Sequence, residues 1–323
     1  MEGKALWHLS PTHSVTRTLE LPKPSGQECI IKSAFSMVSI GTERLIAKGG
    51  VPDVLFEKMR VPYMQGAFGF PLTYGYSLSG LVIDGPQKWI GERVHCLHPH
   101  QSYCLVQSSD LTVIPSDVPL DRAVLTSNLE TVVNALWDAH PFIGQRILVI
   151  GYGLIGSLIA YLLQPMSGIE IEVLEINDSR IGWARHMGLK VIRPSSNAED
   201  LYDMVFHTSA TESGLQYGID HLRQDGDLIE LSWYGKKSVH LDLGTSFHYG
   251  RKRIISSQVS HVARPAMPQW SKDRRKELVF QLLKDPRLDF FLGRRIPFSQ
   301  AVALFQILRN EQPTAVNYYF DYS

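Results

Sequence analysis

The stretch Ile147-Leu148-Val149-Ile150-Gly151-Tyr152-Gly153-Leu154-Ile155-Gly156 reads as a buried strand turning tightly into a helix, because four apolar residues run straight into G-x-G-x-x-G. In that pattern the first glycine permits the turn and the second lets a pyrophosphate approach the backbone. The third lets the following helix, expected over Ser157 to Gln164, pack close to the strand. Free amides at such a helix start, with the positive end of its dipole, hold phosphate oxygens. Gly151, Gly153, Leu154, Ile155 and Gly156 are therefore candidate cofactor-binding residues.

A second apolar run, Ile169 to Leu174, ends at Glu175, 24 residues beyond Gly151 and 19 beyond Gly156. That is near the ~20 expected for the acid that accepts both ribose hydroxyls of a dinucleotide. A carboxylate here disfavours the 2′-phosphate of NADP, since two unit charges about 4 Å apart repel by about 4 kcal/mol at an effective dielectric of about 20. NAD(H) is the expected cofactor. Arg180, five residues on, can soften that repulsion or lie along the adenosine; the alternative is a solvated arginine at a helix start. A glycine-rich turn that binds nothing, with Glu175 a surface carboxylate, is the plainer rival for the whole segment.

With 323 residues, 44% apolar and 20% charged, the chain is long enough for two domains with sizeable cores and ordinary for a soluble globular protein. Lys+Arg equals Asp+Glu at 32 each, so no overall field draws nucleic acid or an anionic membrane, and the basic run Arg251-Lys252-Arg253 reads as a solvated loop. The N-terminus, broken by His8 and Pro11, does not read as a signal peptide, and glycines at nucleotide-loop spacing explain the apolar segment Ile147 to Leu163 better than a membrane span does. Cys29, Cys96 and Cys104 form no C-x-x-C pair, which excludes a four-cysteine zinc site and fits a reducing compartment. A cytoplasmic protein is expected.

From Ala5 to about Val118, short runs such as Glu28 to Ala34, Leu78 to Ile83, Glu92 to Leu97, Tyr103 to Val106 and Leu111 to Ile114 are punctuated by Pro and Gly, which predicts a β-rich, barrel-like domain. Helical periodicity then runs from near Leu120 through Trp137. Beyond Glu175, strands and helices alternate through Ser256, the pattern of a parallel sheet covered by helices. The last stretch adds a helix around Lys272 to Leu283, a strand at Gly293 to Ile296, a helix at Phe298 to Leu308 and a strand at Val316 to Phe320. The expected boundaries are 1–119 and 261–323 for a discontinuous β-rich domain and 120–260 for the nucleotide-binding domain, with a cleft between the lobes. Ser209, Ser232 and Gln258 complete the cofactor-binding candidates.

This order of parts resembles the medium-chain dehydrogenase/reductase superfamily over nearly the whole chain. The likeness is carried by Ser39-Ile40-Gly41-Thr42-Glu43, Gly75 to Val82, Gly91-Glu92-Arg93-Val94, the glycine loop and Asp225 to Leu231. The G-T-E motif, with Ser256 to Ser260, is most similar to the zinc-type alcohol dehydrogenase-like branch that includes 2-desacetyl-2-hydroxyethyl bacteriochlorophyllide dehydrogenases. The resemblance implies an α/β Rossmann domain, a doubly wound parallel sheet, with a discontinuous β-rich GroES-like domain, and a homodimer. It also implies a catalytic zinc, but the positions that carry cysteine and histidine in the zinc enzymes hold Ile40 and Tyr76, and Thr126 to Glu130 contains neither residue. No metal is expected there. His98-Pro99-His100, with His95 nearby, offers two imidazoles on one face if extended, either as a rival metal site or with His98 or His100 as a pocket-lining or proton-relaying group.

Without zinc, a substitute electrophile or an easier hydride acceptor is needed. Tyr76 can donate to a developing oxyanion, or can merely fill the hollow left by the metal. Thr42 matches the hydroxyl that passes a proton toward the ribose in the family, or is a buried threonine bonded to backbone. Glu43 reads as a carboxylate satisfied by nearby amides, while Glu130 and Asn128 either contact substrate or nicotinamide or, for the carboxylate, stabilise a helix start. The aromatic stretch Tyr63 to Phe70 and Trp233-Tyr234 suit an apolar or aromatic small-molecule substrate, or simply belong to the core. The expected activity is an NAD(H)-dependent, zinc-independent interconversion of a secondary alcohol and a ketone. Reduction of activated C=C bonds of enoyl or quinone type, and nucleotide binding with little turnover, are the alternatives.

Overall fold

The computed structural model describes residues 1–194, 201–311, 313 and 315–323. Along the chain come β1 (Glu2–Ser10), β2 (His13–Glu20), β3 (Glu28–Val38), α1 (Ile40–Ala47), β4 (Leu78–Asp84), β5 (Arg93–Cys96), β6 (Tyr103–Gln107), β7 (Thr112–Val113), α2 (Leu120–Ala123) and α3 (Thr126–Ala139). Next are β8 (Arg146–Ile150), α4 (Leu154–Leu163), β9 (Glu170–Leu174), α5 (Asp178–His186), β10 (Lys190–Ile192), β11 (Tyr202–His207), α6 (Glu212–Asp220), β12 (Leu222–Glu230), α7 (Ser246–Tyr249) and β13 (Arg253–Ser256). The chain closes with α8 (Lys272–Leu282), β14 (Arg294–Pro297), α9 (Ala301–Asn310) and β15 (Tyr318–Asp321).

Two compact units result, one of Met1–Ser127 with Leu278–Ser323 and one of Asn128–Glu277. The boundaries fall later than the 119/120 and 260/261 drawn from sequence, because both lie inside helices, α3 and α8, where no turn residue marks them. The single helix expected from Leu120 to Trp137 is broken. Val124 and Leu125 bond back only three residues, to Asp121 and Arg122, and the Thr126 hydroxyl donates to the Ala123 carbonyl at 2.6 Å.

In the second unit six parallel strands run in the order β10-β9-β8-β11-β12-β13, a doubly wound Rossmann sheet. Helices on such a sheet bury both faces of its central strands, so β8 reads as the continuous apolar run Ile147 to Ile150, all of it buried. Register fixes one level across the carboxyl edge: Leu174 pairs Ile150, Ile150 pairs His207, and His207 pairs Glu230. The basic run is corrected here. Lys252 is buried, its Nζ closing the end of α6 through the Ile219 carbonyl at 2.6 Å, and Arg253 opens β13 in a bidentate pair with Asp227.

The first unit is the β-rich GroES-like domain. Its larger sheet runs β14-β15-β3-β4-β5-β7, with β6 also on β3 and the β1-β2 hairpin apart. The C-terminal strand β15 lies antiparallel to β3, Phe320 opposite Ser36, which makes this domain discontinuous. Leu6, Val38, Phe305, Leu308 and Phe320 form one of its cores. Strand β3 ends at Val38, so Ser39 and the first turn of α1 are delivered at the edge of that core.

Candidate functional site

At the carboxyl edge of the parallel sheet, Gly151 adopts φ +92°, which an L side chain rarely accepts, and α4 starts directly at Leu154 with Gly153 as its N-cap. The helix therefore begins three residues earlier than the Ser157 expected from sequence. A Cβ on Gly156 would lie 2.0 Å from the Gly151 carbonyl oxygen, so the helix packs on the turn only because that atom is missing. At Gly153 nothing lies within 4 Å of the same position. The open backbone there, beside the first amides of α4, which have no intrahelical partners, has the shape and polarity a pyrophosphate requires.

Glu175 follows β9 immediately and is buried. Its Oε2 accepts the Tyr152 amide of the glycine loop at 2.8 Å, and its Oε1 accepts the amides of Ile176 and Asn177 at 2.8 and 2.9 Å. Two donors occupy Oε1 and one occupies Oε2, so Oε2 keeps a lone pair for a ribose hydroxyl, rather than both oxygens facing the sugar. Arg180 stands 3.8 Å from Oε2. Ser209, just past β11, packs against the turn, 3.1 Å from where a Gly151 side chain would begin. Ser232 donates its amide to Glu230 at 2.7 Å and accepts the Ala210 amide at 3.0 Å. Gln258 is exposed beyond β13, its Oε1 folded back on the Ser260 amide.

In the β-rich unit a second group of side chains gathers where β3 meets α1. The Tyr76 phenol shares hydrogen bonds with Ser39 and Thr42, and burial pushes its pKa up to about 12, aided by the nearby Glu43 carboxylate and opposed by those two hydroxyls. The phenol is a donor at neutral pH. Glu43, expected to be satisfied by amides, accepts one, from Ser39 at 2.8 Å, and pairs with His100 Nε2 at 2.8 Å. The imidazole continues to Ser36 Oγ at 2.7 Å and thence to the Tyr322 hydroxyl at 2.7 Å. Ser39, Thr42, Glu43 and Tyr76 thus adjoin a buried polar chain.

His98 does not join that chain. Its Nδ1 faces the Pro99 carbonyl at 2.8 Å and Cys104 Sγ at 3.3 Å, its ring stacks on Tyr63, and burial lowers its pKa to about 4. The two imidazoles of His98-Pro99-His100 serve separate networks. Among the described residues no group of three or more His, Cys, Asp or Glu side chains is arranged to hold a metal ion. Glu130 is buried against Arg275, Nε to Oε1 3.3 Å, and desolvation raises its pKa. That arginine also bonds Asn134 and the Val259 carbonyl, so Glu130 holds an internal crosslink. From the aromatic stretch, Phe68 meets Tyr74 in a tilted contact and Tyr74 meets Tyr76 edge-on, with Phe68 and Tyr74 buried.

Sequence reasoning missed His207 and Glu230, and it named His100 without its partner Glu43. His207 is fully buried, its Nδ1 2.8 Å from Glu230 Oε2 and its Nε2 2.8 Å from Ser209 Oγ, while Tyr234 donates to Glu230 at 3.1 Å. The available signal was an ionisable residue closing each of two apolar strand runs, Met204 to Phe206 and Leu228-Ile229.

No protein-family model matches the chain. It is 28% identical to the (R,R)-butanediol dehydrogenase of Saccharomyces cerevisiae over 36% of the chain and 30% of that enzyme. It is 24% identical to the 2-desacetyl-2-hydroxyethyl bacteriochlorophyllide A dehydrogenase of Cereibacter sphaeroides, over 68% of the chain and 70% of the relative. The chain spans less than two thirds of the length of several other curated dehydrogenases it matches. Among solved structures, the 2R,3R-butanediol dehydrogenase of Bacillus subtilis superposes with a TM-score of 0.77 at 16% identity, covering 99% of this chain and 100% of that one. Other structural neighbours hold NADH in one case and NADP in another. Together the fold, the glycine loop and these relatives make the chain similar, in architecture and over part of its sequence, to dehydrogenases of the medium-chain type.

Proposed function

We propose that the protein is an NAD(H)-dependent oxidoreductase that interconverts a secondary alcohol and a ketone without zinc. The observation that carries this reading is Glu175, a buried carboxylate tied to the glycine loop through the Tyr152 amide, beside an open backbone at Gly153. A nicotinamide held there would supply or take the hydride. Gly151, Gly153 and Gly156 with the first amides of α4 would hold the pyrophosphate, and Glu175 a ribose hydroxyl, with the 2′-phosphate of NADPH disfavoured by charge.

Tyr76 is the group on which the chemistry depends. A phenol whose pKa is pushed up to about 12 stays protonated, so it can donate to a ketone oxygen as negative charge develops there, and its hydroxyl neighbours Ser39 and Thr42 can return the proton. That polarity supports ketone reduction over alcohol oxidation, where a phenolate would be required. The same donor would serve an enone carbonyl, which keeps C=C reduction as the second reading. The aromatic run through Phe68 and Tyr74 supports an apolar or aromatic small-molecule substrate, and the superfamily likeness supports a homodimer. Among the described residues no helix is long and apolar enough to cross a membrane.

The test is nucleotide binding by titration calorimetry. NADH should bind at least about tenfold tighter than NADPH, and Glu175→Ala should narrow the gap; equal affinities in the parent protein would sink the NAD assignment. Elemental analysis of protein purified without chelator should give well under one zinc per chain. A panel of ketones, alcohols and enones, followed by nicotinamide absorbance, separates the two chemistries, and silence across the panel favours a binding protein with little turnover.

A further inference from the structure

Along the carboxyl edge of the parallel sheet a second carboxylate stands level with the glycine turn. Leu174, Ile150, His207 and Glu230 are in register on β9, β8, β11 and β12, so Glu175 and Glu230 lie three strand spacings apart, roughly 14 Å, on opposite sides of Gly151. Glu175 has the adenosine side. Glu230 therefore belongs to the side toward which the other half of a dinucleotide extends once its pyrophosphate rests on the glycine loop.

The protonation pattern around Glu230 follows from its partners. It accepts the Ser232 amide at 2.7 Å, the Tyr234 hydroxyl at 3.1 Å and His207 Nδ1 at 2.8 Å, three donors to one group, which is the pattern of an ionised carboxylate. Since Thr211 Oγ1 accepts the Gly214 amide at 3.1 Å, its own proton is available to Ser209 at 2.8 Å, and Ser209 can then give its proton to His207 Nε2 at 2.8 Å. The reverse direction, with Nε2 donating to Ser209 and Ser209 to Thr211, satisfies the same contacts with a charged imidazole; we take the first, in which Nε2 accepts and His207 is neutral. The cluster then carries one net negative charge, and its outward members, Ser209 and Ser232, are only half-buried. Lys236 and Lys237, the nearest cations in sequence, are exposed, so solvent screens them more strongly than the buried pair.

We propose that the His207–Glu230 pair, presented through Ser209, faces the nicotinamide half of the dinucleotide and favours its oxidised form, whose ring is cationic, over the neutral reduced form. The proposal rests on the dinucleotide reading above. Ser209 is the contact; His207 and Glu230 are positioning residues that set its hydrogen-bond direction and the local charge. A cluster serving only to tie β11 to β12 would stabilise the fold without distinguishing the two redox states.

The experiment compares AMP, ADP-ribose, NAD⁺ and NADH by titration calorimetry on the full chain. Glu230→Gln should leave AMP within about twofold and weaken NAD⁺ about tenfold relative to NADH, the scale expected for one unit charge at moderate distance. An unchanged NAD⁺/NADH ratio in a folded Glu230→Gln protein overturns the proposal while the dinucleotide reading stands. If that variant does not fold, Ser209→Ala decides: a several-fold weakening of NAD⁺ relative to NADH with AMP unaffected supports the proposal, and an unchanged NAD⁺/NADH ratio overturns it. Failure of the parent protein to bind any of the four removes both readings.

Discussion

The glycine loop of the Rossmann unit and the Tyr76 cluster of the β-rich unit are built from different materials. Backbone makes the first: a positive φ at Gly151, a helix pressed onto a carbonyl at Gly156, amides anchored by Glu175. Side chains make the second, where the hydroxyls of Ser39 and Thr42 hold the Tyr76 phenol and those of Ser36 and Tyr322 extend the Glu43–His100 pair. A site made of backbone tolerates almost any residue at its variable positions and none at its glycines. A site made of side chains depends instead on partners brought together by the fold, as Glu43 and His100 are here beside the Tyr76 phenol.

Substitution at the glycines should expose this contrast most sharply. Gly156→Ala places a methyl 2.0 Å from the Gly151 carbonyl, a backbone atom that cannot rotate away, and should destabilise the Rossmann unit by about 3 to 5 kcal/mol or prevent its folding. Gly153→Ala meets open space and should melt like the parent while binding dinucleotide more weakly. Thermal melts of the two variants side by side check this; a Gly156→Ala protein within about 1 kcal/mol of the parent would contradict the packing.

Acid should select the other unit. Burial lowers the pKa of His98 to about 4 and of His8 to about 3, from an unfolded value near 6.5. Both stay neutral in the fold, so below about pH 6.5 the unfolded chain binds protons that the native one refuses. Stability is thus full above that pH and is lost as pH falls toward the folded values, at about 1.4 kcal/mol per pH unit for each imidazole, or about 3 kcal/mol for His98 by pH 4. Urea unfolding of the parent and of His98→Leu between pH 7 and 5 isolates this contribution, and parallel pH dependences for the two would refute it.

Tyr76→Phe probes the side-chain site without disturbing the backbone one. Ketone reduction should fall about a hundredfold, the ordinary worth of a general acid, while NADH affinity stays within about twofold. An unchanged rate on a productive ketone would leave the phenol as a filler of the metal's hollow.

The same contrast explains what could be read before any coordinates. The glycine loop, Glu175 and the parallel alternation were legible because backbone constraints leave a residue signature at fixed spacing. The partnership of Glu43 with His100 was not, since 57 residues separate them and either residue alone suits many roles. His98 and His100 looked interchangeable in sequence, yet a proline between them sends one to the Pro99 carbonyl and Cys104 and the other to Glu43 and Ser36. Glu130, read as a possible substrate contact, is bound by Arg275, 145 residues away, and nothing local announces that crosslink. The unit boundaries were misplaced for a related reason, since a helix that passes from one unit to the next keeps its periodicity throughout.

The smallest expected effect lies at the seam between the two kinds of site, where Arg180 brings a side-chain charge to the backbone-held carboxylate. Its guanidinium is 3.8 Å from Glu175 Oε2, beyond hydrogen-bond reach, and its buried Nε has no protein partner among the described residues. A cation so placed offsets part of the repulsion that Glu175 exerts on a 2′-phosphate, whereas a 2′-hydroxyl carries no charge for it to attract. Removing it with Arg180→Ala should therefore weaken NADPH more than NADH and widen the gap by about threefold to fivefold, the scale of a partly exposed ion pair. Raising the salt concentration should shrink that increment, because the guanidinium side chain is 23% exposed while the carboxylate is 5% exposed. If the gap is unchanged in Arg180→Ala, the arginine faces the adenine or solvent, and discrimination between the two cofactors falls to the buried carboxylate alone.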